Sequence, residues 1–140
     1  METYETFSTT ADVGIRIQGN GTEELYRSAI KGLNLLYFGE HSHSFHSLSP
    51  TSLYPFEYTG DSCENVLVNL LSEIVFLVQH QGNVVIDILF HHATDTCLKA
   101  DFKTAPLPLT PELDIKSVTY HNLKVNDDHG LKSTEIIFDI

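Results

Sequence analysis

Three patterns in this 140-residue chain predict an α+β fold. Two long segments carry apolar residues at helical spacing. Several short segments alternate apolar and polar residues. The C-terminal half runs strand after strand with no helix between. The expected order is β-α-β-α-β-β-β-β, with two helices packed on antiparallel or mixed β-sheets. The length suits one compact domain over residues 1–140.

Residues 12–18 form the first expected strand, with Val13, Ile15 and Ile17 on one face. Gly19-Asn20-Gly21 is a turn, and Thr22 can cap a helix whose positive end Glu23 and Glu24 complement. Leu25, Ala29, Leu33 and Leu36 continue that helix, which fades near Tyr37–Gly39. Residues 40–51, rich in Ser and His, read as a loop. Tyr54, Phe56 and Tyr58 alternate in the next strand, and Pro55 moves it to a sheet edge. Asp61 or Ser62 caps a second helix. Its apolar face runs from Val66 through Leu70, Ile74 and Val78, and Gly82 ends it. Asn83–His92 and Thr96–Thr104 pair around Ala93–Asp95. Ala105–Asp114, with three prolines, is a loop. Ile115–Val125 and Leu131–Ile140 make a hairpin around Asn126–Gly130.

The charge balance narrows the function. Eight Lys+Arg against 19 Asp+Glu leave −11 at pH 7. Proteins that bind nucleic acid unaided carry a basic footprint, so direct RNA or DNA binding is not expected. Metals and basic protein surfaces suit this charge better. A composition 41% hydrophobic with mean hydropathy −0.08 fits a globular chain. No apolar run approaches the ~20 residues of a membrane helix. The opening Met1-Glu2-Thr3-Tyr4-Glu5 is unlike a secretory leader, so a cytoplasmic location with reduced Cys63 and Cys97 is expected. Cys63 lies near a helix start, where a thiol's pKa can fall; an ordinary small residue is the plainer reading.

Asp12 is wedged among small and apolar neighbours in Thr9-Thr10-Ala11-Asp12-Val13-Gly14-Ile15. The chain closes on Phe138-Asp139-Ile140, so Asp139 stands beside the terminal carboxylate. If the fold joins these ends, three negative charges converge and require a cation: a metal, a lysine or a basic partner. Hard oxygen ligands suit Ca²⁺, Mg²⁺ or Mn²⁺ rather than zinc. Solvated acids at a turn and a chain end are the plain alternative.

Four segments in register carry a resemblance. Thr10-Ala11-Asp12-Val13-Gly14-Ile15 and Lys116-Ser117-Val118-Thr119-Tyr120-His121 resemble the two signatures of the archease family. Leu70–Leu77 is similar to its second helix, and Phe138-Asp139-Ile140 to its C-terminus. The resemblance implies an accessory protein of an RtcB-type tRNA ligase. That ligase joins 2′,3′-cyclic-phosphate and 5′-hydroxyl RNA ends with GTP and a divalent metal. Archeases promote guanylylation of the ligase and its multiple turnover. The resemblance assigns a divalent-metal site, calcium first, to Asp12, Asp139 and Ile140. It assigns ligase activation to Asp12, Lys116 and Asp139, and His121 lies in the second signature. One departure stands out: where the family reads Asp-His-Thr-Ala-Asp, this chain has Ser8 and Thr9 at the first two positions.

Other candidates carry less. His41, His43 and His46 can present imidazoles to a transition metal, but Ser-rich loops hold histidines freely. His91 and His92 are consecutive in a strand and point to opposite faces. Glu73, on the second helix, reads as an ion-pair partner. No nucleophile elbow, Walker loop or zinc-ligand spacing is present, so an enzyme is not expected. A chaperone-like interaction module, or a paralogue without a working metal site, is the alternative function; a metal-dependent hydrolase ranks below it.

Overall fold

The computed structural model describes residues 2–140. Two antiparallel sheets and two helices make an α+β architecture, and neither sheet contains a parallel pair. In chain order the elements are β1 (Thr3–Ser8), β2 (Val13–Asn20), α1 (Gly21–Phe38), β3 (Ser52–Thr59), α2 (Cys63–His80), β4 (Asn83–Ala93), β5 (Cys97–Pro106), β6 (Ser117–Val118), β7 (Asn126–Asp128) and β8 (Leu131–Asp139). The first sheet runs β1-β2-β8-β6, with β7 also on β8; the second runs β3-β5-β4.

The expected strands over 12–18, 54–58, 83–92, 96–104 and 131–140 are present, and so are both helices. Pro55 does sit on an edge strand, β3, where its missing N–H breaks no ladder bond. Ser62 caps α2 by accepting a bond from the Asn65 N–H at 3.1 Å, and Gly82 follows its end at φ 66°.

Four expectations are corrected. Thr3–Ser8 is a strand that short-range patterning does not announce. Its pairing with β2 across Thr3↔Gln18 to Ser8↔Val13 makes it one. The N-cap of α1 is Asn20, not Thr22; Glu24 accepts from the Asn20 N–H at 3.0 Å. Residues 39–47 are a 3-10 helix rather than a plain loop, anchored by buried Phe45 edge-on to Phe38 at 5.1 Å. Finally, Ile115–Val125 is not a long strand. Only Ser117–Val118 pair with β8. A turn closed by Leu123 N–H to Tyr120 C=O, with Asn122 at φ 52°, ends the ladder. The hairpin partner of β8 is instead Asn126–Asp128. Its turn is the two residues His129 (φ 53°) and Gly130 (φ 92°), the positive-φ pair a type I′ hairpin demands.

Helix α1 lies between the sheets. Gly32 lets it rest on Ile15 of β2, since an added Cβ would sit 3.2 Å from Ile15 Cδ1. On its other side Asn34 donates to the Val85 carbonyl of β4 at 2.9 Å. Its core side chains include Leu25, Tyr26, Ile30, Leu33, Tyr37 and Phe38, and α2 adds Leu67, Leu70, Leu71 and Ile74. Each fully buried side chain of this size contributes about 1.5–3 kcal/mol. Neither helix is long and apolar enough to cross a membrane.

A polar cluster around Lys132 links the two sheets. Lys132 of β8 points inward with Thr134, Ile136 and Phe138 and is buried. Its ammonium lies 3.1 Å from Asp95, in the β4–β5 turn, and 3.2 Å from Asp127 of β7. Asp95 also accepts from Thr22 of α1 at 2.9 Å. Desolvation alone would lower the Lys132 pKa, but the bonds to Asp95 and Asp127 outweigh it and raise it. Asp127 is held below its ordinary value, first by the Gly130 N–H and then by Lys132.

Two outcomes follow. Lys132→Met should lower unfolding stability modestly, by roughly 0.5–1.5 kcal/mol in urea titrations, because Asp95 and Asp127, both half-exposed, lose the bonds of their shared cation. Asp127 contributes stability above the pH near 3.9 where its unfolded carboxyl ionises. That contribution disappears as pH falls through its lowered folded value. Acid melts of Asp127→Asn should therefore fall less steeply than wild type. Lys132, by contrast, stabilises fully below its unfolded pKa near 10.4 and releases that stability only in stronger alkali.

Candidate functional site

Strand pairing builds one end of the first sheet from three distant segments. Val13 of β2 pairs with Phe138 of β8, and Phe138 pairs with Val118 of β6. One step further out, Asp139 pairs with Ser117. Asp12 immediately precedes Val13, so it stands at the same end, beside the strand that carries Asp139. Alternation then sets the faces. Ile15, Ile17, Ile136 and Phe138 are buried, whereas Arg16, Glu135 and Asp139 are exposed on the outer face.

The tip is held by local bonds. The Thr9 N–H donates to the Asp12 carbonyl at 2.9 Å, and the Asp12 N–H donates to Thr9 Oγ1 at 3.2 Å. These close the β1–β2 turn. Ser117 Oγ donates to Asp139 Oδ2 at 3.0 Å, and the Lys116 N–H donates to the Asp139 carbonyl at 2.8 Å. Among the described residues, no hydrogen bond or ion pair reaches the Asp12 carboxylate or the Lys116 ammonium. Asp12 is half-buried; Lys116, Asp139 and Ile140 are exposed.

The segment after Lys116 is pinned by its neighbours. Thr119 donates both its N–H and its hydroxyl to the Ile137 carbonyl, at 3.0 and 2.9 Å. Asn65 of α2 donates to Tyr120 Oη at 2.8 Å, and Glu64 accepts from the Val125 N–H at 2.8 Å. His121 is exposed; its N–H donates to Thr119 Oγ1 at 3.3 Å.

Patterning within short windows does not reveal how Phe7 and Gly14 shape the sheet just below the tip. Phe7 pairs with Gly14, and its ring covers the glycine; a Cβ there would collide with the ring and lie 2.7 Å from the Ile136 carbonyl oxygen. Arg16 stacks over the same ring at 4.4 Å and bonds Glu135 at 2.9 Å and Glu5 at 3.2 Å. Bonds to Glu135 first, and Glu5 second, raise the Arg16 pKa. A cleft of about 650 Å³ on this face is bordered by Glu5, Arg16, Gln18, Lys124 and Glu135 and does not include the tip residues.

The donor set at the tip is hard oxygen: the carboxylates of Asp12 and Asp139 and the oxygens of Ile140. Among the described residues no three His, Cys, Asp or Glu side chains form a metal-binding group. A cation here would need further oxygens from main chain, water or a partner to reach the six to eight that calcium takes.

The remaining candidates fall elsewhere. His43 and His46 meet through the His43 carbonyl, 2.9 Å from His46 Nδ1. His91 pairs with Asp101 at 2.8 Å. Glu73 accepts a hydroxyl bond from Tyr54 at 2.6 Å, and among the described residues it makes no ion pair. Cys63 is buried beside Tyr26, and burial pushes its thiol up to about 11. Burial first, and the nearby Asp95 charge second, move this thiol away from the reactive thiolate form.

The sequence matches the profile of the Archease protein family over residues 4–140. An archease of Thermoplasma acidophilum is 28% identical over 147 residues, covering 98% of this chain and 93% of that one. An archease of Thermococcus kodakarensis is 25% identical over 131 residues, covering 89% of each. Among solved structures, a Thermotoga maritima archease described as a possible chaperone superposes with TM-score 0.64 at 21% identity. It covers 96% of this chain and 94% of its own. Protein 1598 of Methanobacterium thermoautotrophicum gives TM-score 0.60 at 20% identity, covering 98% of both. These two share the fold.

Gly14→Ala should cost about 1–3 kcal/mol through overpacking against Phe7. Phe7→Ala in the same chain should restore part of that loss, measured as a double-mutant cycle in urea.

Proposed function

The chain belongs to the archease family, and on that premise we propose that it is a non-catalytic activator of an RtcB-type RNA ligase in the cytoplasm. It acts by presenting an acidic, divalent-cation-binding tip to the ligase. The observation that supports this reading is the meeting of Asp12, Asp139 and Lys116 at one end of the β2-β8-β6 sheet.

Each residue has a task there. Asp12 and Asp139, with an oxygen of Ile140, hold the ion, calcium first and Mg²⁺ or Mn²⁺ otherwise. Ser117 orients the Asp139 carboxylate through its 3.0 Å bond. Lys116, exposed beside them, neutralises the carboxylates or meets phosphate at the ligase. His121 borders the same segment and contacts the partner. The divalent ion, when bound, supplies charge neutralisation at a phosphate, the main electrostatic need of nucleotidyl transfer. The net charge of −11 steers the protein to a basic protein surface and away from RNA itself.

A second reading has its own observation. Ser8 and Thr9 stand where the family pattern has an acid and an imidazole, and Thr9 is occupied in closing the turn on Asp12. Loss of such supporting groups can weaken metal affinity by about 10–100-fold. On that reading the chain is an interaction module or a divergent paralogue, in line with the chaperone description of the Thermotoga relative.

Ligase assays in single- and multiple-turnover regimes separate the two. The wild-type chain should raise ligase guanylylation and permit multiple turnover. Asp12→Ala and Asp139→Ala should abolish both effects while melting near wild type. No stimulation of a demonstrably active ligase would sink the activator reading. Thermal melts should rise with Ca²⁺, Mg²⁺ or Mn²⁺ relative to EDTA, because an ion bound to the folded state stabilises it by mass action. A flat response with all three would favour the second reading.

A further inference from the structure

The first turn of α2 reaches across to the segment that follows β6, and one side chain makes the connection. Asn65 Oδ1 accepts from the Tyr58 hydroxyl at 2.9 Å and from the Asp61 N–H at 3.2 Å. A backbone N–H can only donate, so this atom is the amide oxygen and the side chain has one orientation. Its Nδ2 therefore donates to Tyr120 Oη, at 2.8 Å. The main chain of Asn65 is held as well. Its N–H donates to Ser62 Oγ at 3.1 Å, and its carbonyl accepts from Asn69 Nδ2 at 2.8 Å.

Tyr120 is 53% exposed, yet it is tethered at both ends. The Asn65 amide holds its hydroxyl, and the Leu123 N–H closes a turn on its carbonyl at 3.0 Å. Because Tyr120 Oη accepts from Asn65, its own proton points elsewhere, and among the described residues that proton has no acceptor. A relay of donors thus runs from Tyr58 through Asn65 to Tyr120, and each bond polarises the next. It ends on an O–H donor at the surface. A tyrosine ring immobilised before binding loses little entropy when it is covered, which is why such rings anchor protein interfaces.

We infer that Tyr120 is a contact residue for the ligase and that Asn65 is the residue that positions it. The partner surface supplies an apolar recess for the ring, closed by a hydrogen-bond acceptor for its hydroxyl. This deepens the ligase reading and rests on it. Lys116 stands four residues before Tyr120, so their Cα atoms are at most about 14 Å apart. A standard interface covers about 800 Å² per partner, roughly 30 Å across. One partner surface therefore has room to cover the acidic end and Tyr120 together. The tasks differ: Asp12 and Asp139 act through a cation, whereas Tyr120 supplies affinity.

Titrating the full chain into an active RtcB-type ligase, with binding read by calorimetry and guanylylation followed in parallel, tests the assignment. Tyr120→Ala should melt near wild type and weaken binding about thirtyfold. Its effect on guanylylation should lie in the concentration giving half-maximal stimulation, not in the plateau. Tyr120→Phe keeps the ring and loses the hydroxyl; it should weaken binding about three- to tenfold, the effect of one hydrogen bond. Asn65→Asp separates positioning from folding. Its Oδ1 still accepts from Tyr58 and Asp61, while its second oxygen makes Tyr120 donate inward. The variant should be as stable as wild type, because a carboxylate suits a helix start, yet bind as weakly as Tyr120→Phe. A purely structural Asn65 would show no such loss. Unchanged binding by Tyr120→Ala or by Asn65→Asp, with wild type stimulating the ligase, would overturn this inference alone. A wild-type chain that neither binds nor stimulates an active ligase would overturn the ligase reading and this inference with it.

Discussion

Strand β8 is the constraint on which the rest of this molecule depends. It pairs with β2 along eight residues and carries β6 and β7 on its other edge. Through it the last residues of the chain meet residues 12 and 13 near the beginning. Because antiparallel register has a period of two, a one-residue slip would send Ile136 and Phe138 outward and Glu135 and Asp139 into the core. Burial of the apolar set therefore specifies the register, and the register specifies which acids meet at the sheet end.

The same strand explains an inward-facing lysine. Lys132 shares the inner face with Thr134, Ile136 and Phe138, where a charge would be costly alone. Asp95 reaches it from the second sheet, Asp127 from the β7–β8 hairpin, and Thr22 secures Asp95 from α1. The lysine is buried and the two acids half-exposed, so the contact gives modest net stability, and removing both acids would leave a buried charge unpaired. Its structural consequence is to tie the second sheet's β4–β5 turn to the first sheet and to the start of α1.

The candidate site and the core packing occupy opposite faces of the same strands. The inner face is spent on the core with α1. The outer face carries Arg16 between Glu5 and Glu135, then Phe7 over Gly14, and finally the acidic end with Asp12, Ser117 and Asp139. Phe7 covers Gly14 one step below the tip, where no side chain other than hydrogen fits under the ring. Like charges placed together repel. A site of this type therefore has its use when a cation or a basic partner arrives, which is how the proposed ligase activation draws on the fold.

Most elements were legible from local chemistry. Alternation at Val13-Ile15-Ile17, helical spacing from Leu25 to Leu36 and from Val66 to Val78, Ser62 as a cap, and Pro55 at an edge are all short-range signals. The four in-register segments also identified the family. The strand Thr3–Ser8 was not legible, because its polar alternation acquires meaning only beside β2. Nor was the breaking of 115–125 into a two-residue strand and a turn, which Asn122's positive φ and the anchors from Glu64 and Asn65 impose. The sequence by itself determined the two helices, most strands and the acids worth watching, since those depend on neighbours a few residues away. Tertiary structure alone decided that Asp12, Lys116 and Asp139 share one end of a sheet, that Lys132 is buried against two acids, and that the buried Asn34 Oδ1 has no partner among the described residues. Each of those depends on contacts between residues far apart in the chain, which no local pattern records.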